Sequence, residues 1–587
     1  MSKNKEKRYC ARTGACALTT PFAPTTEIPL SEQPRPQFAR EHFQILNGTW
    51  DYAIRKAGEP LSDYDGRITV PFSPEFSASG VLRVLEPDQV LYYRRRFSVE
   101  KIPPHLLLHF DAVDYEATVL VNDKPVGTHR GGYLPFSFDI AAHVHEGENE
   151  LSLSVTDPTD AGGQPRGKQT LSPGGIWYTP QSGIWQTVWL EYLPEGYIPS
   201  VKITPDIDAG VVRFSFPVDG VSVTVVDKNR YTFFPACGRE MVCPIPHAHL
   251  WSPEDPYLYR VILRRGEDRV ESYFGMRKFS IMPDKNGKNR LALNNCPYFH
   301  NGILDQGYFP ESGLTPPSDE AMVNDILAVK SLGMNMIRKH IKVDPMRFYY
   351  HCDRLGVLVW QDLVSGGADY AFPIIAALPF VGIHLSDKGE RAYRRFRRAS
   401  AEDRAEFVRF AEETVAYFQN VPSLALFTVF NEGWGQFESE ALTDKLRHID
   451  PTRHYDSVSG WHDQGKGTSE LKSLHVYYKK LRMPRAEKRC VVLSEFGGYS
   501  LPSEGHMLTP DKLFGYRMYK SPEELRAAVT ALYRDEILPA VKKGLSATVY
   551  TQLSDVEEEI NGVLTYDRRV NKFEGLDLSI TYGDDIL

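Results

Sequence analysis

No run in this chain approaches the roughly 18 consecutive apolar residues that span a bilayer, so the sequence offers no membrane helix. Cysteine is scarce. The seven present, Cys10, Cys16, Cys237, Cys243, Cys296, Cys352 and Cys490, show no Cys-x-x-Cys spacing, which excludes the common zinc modules and leaves structural thiols as the reading. Cys237 and Cys243 stand close enough to pair across a hairpin, but only in an oxidising compartment. Positive charge is short as well: 68 Lys and Arg face 76 Asp and Glu, the net charge is -8, and no basic face stands out. Neither nucleic acid nor an anionic membrane is therefore an expected partner. The basic segment Met1 to Lys7 is followed by polar, Thr/Pro-rich sequence instead of a secretory apolar region, so a cytoplasmic location is expected. Internal repeats and low-complexity tracts are lacking. What remains is a protein for a neutral or weakly charged ligand.

At 587 residues the chain is too long for one hydrophobic core, and about three domains are expected. Its 31 Tyr, 30 Phe and 8 Trp suit strand cores first and sugar-stacking platforms second. From about residue 40 to 195 the signal is short strands: Val90 to Val99, Leu106 to Phe110, Ala117 to Val121, Glu150 to Val155 and Thr187 to Leu193. No long helix interrupts them, which predicts an antiparallel β-sandwich over 1–195, with 1–40 as an extended arm. Strands Val201 to Thr204, Val211 to Phe216, Val221 to Val226 and Tyr257 to Leu263 predict a smaller immunoglobulin-like β-sandwich over 196–283.

Beyond residue 284 strands alternate with helices. Eight strands are predicted: Phe299 to Leu304, Met334 to Arg338, Val357 to Gln361, Leu424 to Asn431, His454 to Val458, Leu474 to Tyr477, Val491 to Ser494 and Ala547 to Thr551. Between them, Ser318 to Leu332 reads as a helix capped by Ser318 and stopped by Gly333, and Ala401 to Phe418 carries Phe407, Phe410, Ala411 and Val415 on one stripe. This alternation predicts a (β/α)8 TIM barrel over 284–587, with its chemistry at the carboxyl ends of the strands.

Two carboxylates stand at such ends: Glu432 after Leu424 to Phe430 and Asn431, and Glu495 after Val491 to Ser494. A glutamate at a strand end is often half of an ion pair, but two of them at one barrel mouth can cleave a glycosidic bond. One protonates the leaving oxygen while the other attacks the anomeric carbon.

The segment Thr428-Val429-Phe430-Asn431-Glu432-Gly433-Trp434-Gly435 resembles the acid/base strand of glycoside hydrolase family 2, the family of β-galactosidases and β-glucuronidases, and Leu493-Ser494-Glu495-Phe496-Gly497 resembles its nucleophile strand. Val121-Asn122, Gly131 to Phe136 and Ser182-Gly183-Ile184-Trp185 look like its amino-terminal, jelly-roll-like sugar-binding sandwich. Leu250-Trp251-Ser252-Pro253 and Tyr273 to Arg277 are similar to its immunoglobulin-like domain. The resemblance implies a retaining exo-β-glycosidase, β-galactosidase-like, with Glu495 as nucleophile and Glu432 as general acid/base. It implies Asn431 on the sugar hydroxyl beside the anomeric carbon and Tyr477 supporting the nucleophile. His475, His340, Arg338, Asp362, Trp461, Gln552 and Trp177 are further candidate substrate contacts, as are Asp555 at the barrel mouth and Tyr178 beside Trp177.

His340 comes one position early relative to many members, in Arg338-Lys339-His340-Ile341-Lys342. The glucuronidases' Asn-x-Lys grip on a sugar carboxylate has its nearest counterpart in Asn571-Lys572, without the spacer residue. Three alternatives follow: a β-glucuronidase, other uronidase or arabinosidase with the same mechanism; a carbohydrate-binding protein without catalysis; and a metal-dependent hydrolase with His340, Asp362 and His475 as ligands. The acidic run Asp555-Val556-Glu557-Glu558-Glu559 reads as a solvated loop or helix face. Neither metal nor cofactor is expected. The expected partner is a carbohydrate substrate, and self-association into a homo-oligomer is left open.

Overall fold

The computed structural model describes residues 18–236, 238–583 and 586. Cys10, Cys16 and Cys237, with the Cys237–Cys243 pairing, lie outside the described residues. The chain begins with an antiparallel sandwich of six-stranded and four-stranded sheets. In the larger sheet, Gln89–Val99 pairs with Gly147–Thr156, which pairs in turn with Glu116–Val121. Alternate residues turn inward, so Leu91, Tyr93, Val119, Val121, Leu151 and Val155 pack against Leu108 and Leu190 of the smaller sheet.

A second sandwich follows. Its three-stranded sheet is Lys202–Asp206, Val211–Ser215 and Glu240–Pro244; its four-stranded sheet is Arg230–Phe234, Ser222–Asp227, Tyr259–Arg265 and Asp268–Phe274. Val212, Phe214, Val223, Val261 and Leu263 fill the space between.

The third unit is the barrel. Its strands in chain order are His300–Asp305, Met336–Lys339, Leu358–Asp362, Leu424–Thr428, His454–Asp456, Leu471–Val476, Cys490–Gly497 and Leu545–Thr551. Seven neighbouring pairs form parallel ladders. Between the fifth and sixth strands side chains close the seam: Ser473 Oγ donates to Asp456, and the Tyr455 amide donates to Glu470 Oε2 at 3.2 Å. All eight fall where the sequence predicts them, displaced by a few residues. The fourth ends three residues early, at Thr428, and the chain then turns to carry Asn431 and Glu432 across the mouth.

Asp319–Ser331 is a helix whose Ser318 hydroxyl accepts from the Ala321 amide at 3.2 Å, and Gly333 leaves it at φ 72. Ala401–Tyr417 is capped by Ser400 in the same way. A long loop of the first sandwich lies on the barrel: the Arg166 and Gly167 amides donate to the Ser365 carbonyl at 2.9 Å, and Gln186 Nε2 to the Val343 carbonyl at 3.1 Å. That loop brings Lys168, Trp177 and Tyr178 to the barrel mouth.

Candidate active site

Backbone irregularities aim both glutamates. Glu432 has φ 50, in the left-handed region, where a side chain costs roughly 1 to 3 kcal/mol unless the surroundings impose it, and the next residue, Gly433, has φ 79. Its amide is fixed by the Ser459 carbonyl at 3.0 Å. On the seventh strand Leu493 pairs with Leu474 but Glu495 pairs with His475, so Ser494 is a bulge that turns Glu495 toward the centre. Glu432, Glu495 and His475 thereby bring one oxygen or nitrogen each within 4.8 Å of one another.

Arg338 organises the floor. Its buried guanidinium donates to Asp362 at 3.0 Å, Asn431 Oδ1 at 2.9 Å, the Ser494 carbonyl at 2.9 Å and Glu495 Oε1 at 3.3 Å. Tyr477 Oη donates to Glu495 Oε2 and lies 3.2 Å from Thr551 Oγ1. Burial by itself would raise the Glu495 carboxyl, but His475, Arg338, His340 and the Tyr477 hydroxyl outweigh it and hold the group below its ordinary value. For Glu432, burial first and the charge of Glu495 second push the carboxyl up, against smaller opposing pulls from His475 and Lys168. Two like groups are thus driven apart, one toward acid and one toward anion.

His475 Nδ1 lies 2.6 Å from Glu432 Oε1, and its Nε2 lies 3.0 Å from Ser459 Oγ. Ser459 Oγ donates onward to Ser494 Oγ at 3.0 Å, which donates to the Leu474 carbonyl at 3.4 Å. Nε2 thus faces the Ser459 hydroxyl while Nδ1 faces the Glu432 carboxyl. His340 Nδ1 meets Asp362 Oδ2 at 2.7 Å; burial and then Lys168 push its imidazole down to about 4, so it is neutral. Asp362, raised by burial but pulled down more by Arg338 and His340, falls to about 2.

The walls are aromatic. Trp434 lies 5.4 Å from Trp177, 5.8 Å from His340 and 6.1 Å from Tyr370, centroid to centroid. Trp461 lies 6.3 Å from His475, and Tyr477 stacks on Tyr516 at 4.0 Å. Gly498 makes that stack possible by close packing: a Cβ there would meet the Tyr516 ring at 2.4 Å.

Arg338, His340, Asp362, Asn431, Glu432, His475, Tyr477 and Glu495 therefore form one connected cluster, with Trp177 and Trp461 beside it. Gln552 is fully buried, and its Nε2 donates to Asn561 Oδ1 at 2.9 Å. The metal alternative loses its grouping, because His475 sits with the two glutamates while His340 and Asp362 bond to each other.

The acidic run 555–559 is not a solvated loop. Its carboxylates are buried and turned inward, where each finds a donor: Lys572 Nζ at 2.7 Å from both Asp555 oxygens, the Thr179 amide at 2.8 Å from Glu557, the Gly175 amide at 3.0 Å from Glu558, and Tyr178 Oη on Glu559. The donors come from the sandwich loop and from residue 572, so only the tertiary fold could satisfy these charges. Lys572 is thus already engaged. Sequence reasoning missed Lys168, Trp434, Tyr516 and Glu559 as groups at the mouth. Trp434 had a signal, two residues past Glu432; Lys168 had none, since a loop lysine some 260 residues away carries no periodicity.

Fold and site together define a β/α-barrel protein with a two-carboxylate centre, fronted by two β-sandwiches. The chain belongs to glycoside hydrolase family 2: a galactose-binding domain-like model matches residues 84–181, a family 2 model matches 197–277, and the family 2 TIM barrel model matches 288–563. A β-galactosidase of Thermoanaerobacter pseudethanolicus is 26% identical over 47% of this chain and 39% of its own. The β-glucuronidase of Rattus norvegicus is 24% identical over 60% of this chain and 56% of its own. The chain thus spans about two fifths to just over half of these relatives. The fold also matches a β-glucuronidase of Ruminococcus gnavus in complex with uronic isofagomine, at TM-score 0.70 and 16% identity over 92% of this chain and 98% of that one. A β-galacturonidase of Eisenbergiella tayi bound to galacturonate matches at TM-score 0.67 and 19% identity, over 94% and 97%.

Proposed function

We propose that this protein is a retaining exo-β-glycosidase in which Glu495 attacks the anomeric carbon and Glu432 protonates the leaving oxygen. Water, deprotonated by Glu432, then releases the sugar. The observation that carries this reading is the closeness of the carboxylates, with ligand-capable atoms within 4.8 Å. Retaining glycosidases hold the two carboxyl groups about 5 to 5.5 Å apart, whereas inverting ones leave roughly 6.5 to 9.5 Å for a water. The depressed Glu495 and raised Glu432 suit nucleophile and acid respectively. Asn431, whose Oδ1 is taken by Arg338, keeps a buried Nδ2 for a sugar hydroxyl. The family's relatives named β-galactosidase and β-glucuronidase support a terminal β-glycoside as substrate.

The location we propose is cytoplasmic. Cys296, Cys352 and Cys490 are free thiols, which suits a reducing compartment, and no helix among the described residues is long and apolar enough to cross a membrane.

The test is the anomer first released from a p-nitrophenyl β-glycoside, followed by proton NMR. The β-anomer should appear before mutarotation, and Glu495→Gln should lower kcat by at least about 10³-fold. Initial release of the α-anomer, or a Glu495→Gln enzyme within a few-fold of the parent, would overturn the assignment.

A further inference from the structure

Among the described residues, Lys168 is the buried cation at the mouth whose ammonium is unengaged. The residue is 7% exposed, yet no hydrogen bond or ion pair ends on its ammonium among the described residues. Its Nζ sits 5.5 Å from the Tyr178 ring and 5.7 Å from the Trp434 ring, between two aromatic faces. The anion acting most strongly on it is Glu559, then Glu495 and Glu432, and burial lowers its proton affinity. The other buried cations nearby are occupied: Arg338 on Asp362, Glu495 and Asn431; Lys339 on Asp305 and Asp344; Lys342 on Asp344; Lys572 on Asp555; Arg568 on Asp325.

Glu559 is the matching acceptor. It is 1% exposed and fixed by Tyr178 Oη and by Asn561 Nδ2 at 3.0 Å, with Tyr516 in the field of both Glu559 and the catalytic pair. Around the reacting centre, Asp362 and Glu495 are carboxylates held below their ordinary values, and the buried side chain of Glu559 lies beyond them. A sugar carboxylate would add a further negative group to a buried space already lined by carboxylates, whereas hydroxyls donate and accept at once and suit a cation near a carboxylate. Further buried atoms lack partners at Asn431 Nδ2, Trp434 Nε1 and Gln552 Oε1, two donors and an acceptor that are all neutral.

We infer that Lys168 and Glu559 form a donor–acceptor clamp on the hydroxyls of a neutral glycon, and that this site rejects uronic acids. This rests on the glycosidase reading above and adds the substrate class and two binding residues to it. Lys572, the other lysine beside this loop, is held by both oxygens of Asp555 at 2.7 Å.

The experiment compares kcat/KM for matched p-nitrophenyl β-D-galactoside, β-D-glucoside, β-D-galacturonide and β-D-glucuronide, in the full chain and in Lys168→Met, Lys168→Arg, Glu559→Gln and the double variant Lys168→Met/Glu559→Gln. The parent should prefer the best neutral glycoside over its uronide by at least 100-fold. Lys168→Met and Glu559→Gln should each lose 30-fold or more on it, with the double variant losing much less than the product of the two. Lys168→Arg should recover part of the loss. Against glycosides lacking one hydroxyl, the penalty of each single variant should vanish for the hydroxyl it binds. A parent that prefers a uronide, or a Lys168→Met variant that loses uronide activity selectively, would make Lys168 a carboxylate receptor and overturn the inference while leaving the mechanism intact. Single variants within three-fold of the parent, with an unchanged melting temperature, would also overturn it. Failure of the mechanism reads differently: Glu495→Gln would then keep its activity on whichever substrate is best.

Discussion

His475 Nδ1 lies 2.6 Å from Glu432 Oε1, and burial with the charge of Glu495 raises the Glu432 carboxyl, the direction that the proposed general acid requires. An acid of this kind matters in proportion to how badly the leaving group needs a proton. Glu432→Gln keeps the shape and the hydrogen-bonding reach but has no proton to give. Its first step on a 2,4-dinitrophenyl glycoside should stay within about ten-fold of the parent, while a phenyl glycoside should slow by about 10³-fold, since one positioned general acid contributes about 10²- to 10⁴-fold. Pre-steady-state bursts with the two substrates give both numbers, and equal losses on both would show that Glu432 acts otherwise. Glu432, Glu495, Arg338, Asp362 and His475 could be named from the sequence because each stands at or within two residues of the carboxyl end of a strand predicted there, and Asn431 and Tyr477 because the family resemblance implies them. Lys168 and Glu559 could not, because one comes from a different domain and the other from a run of charges whose ordinary fate is solvent.

At the scale of elements, the barrel's strands and helices were legible for a local reason: apolar runs such as Leu424 to Phe430 and stripes such as Met322, Ile326 and Val329 announce their own period. Ser318 announced a helix start, and its hydroxyl does accept from the Ala321 amide at 3.2 Å. Ser318→Ala should therefore cost about 1 kcal/mol of stability, read as a shift in the urea midpoint with unchanged slope, and leave kcat untouched, since the cap lies away from the mouth. A change in kcat would mean that this helix positions the site. The bulge at Ser494 was not legible. It depends on register against the sixth strand, and a register shift of one residue leaves no mark in the apolar pattern of Val491 to Leu493.

At the scale of the whole molecule, the sandwich is a wall of the active site, and its inner loops are paid for in buried carboxylates that no sequence pattern foretold. Glu75 is fully buried, its oxygens accepting from the Leu85 amide at 3.2 Å and the Ser182 amide at 3.1 Å, and Ser182 Oγ donates to Asp157 at 2.8 Å. Burial, the largest influence, pushes Glu75 from 4.5 up to about 8 and Asp157 from 3.8 up to about 6, and Asp114 is also raised. A carboxyl raised by folding binds its proton more tightly in the native state. Its stabilisation is complete below the unfolded value near 4.5 and is lost as pH rises through about 8. Glu75 should then contribute a slope of about 1.4 kcal/mol per pH unit, falling as pH rises, across that window. Glu75→Gln keeps the volume, cannot ionise, and should flatten the decline in urea-unfolding free energy between pH 5 and 8. It should leave the portion due to Asp157, which ends near pH 6. A parent and a Glu75→Gln variant with identical pH slopes would place the titration elsewhere.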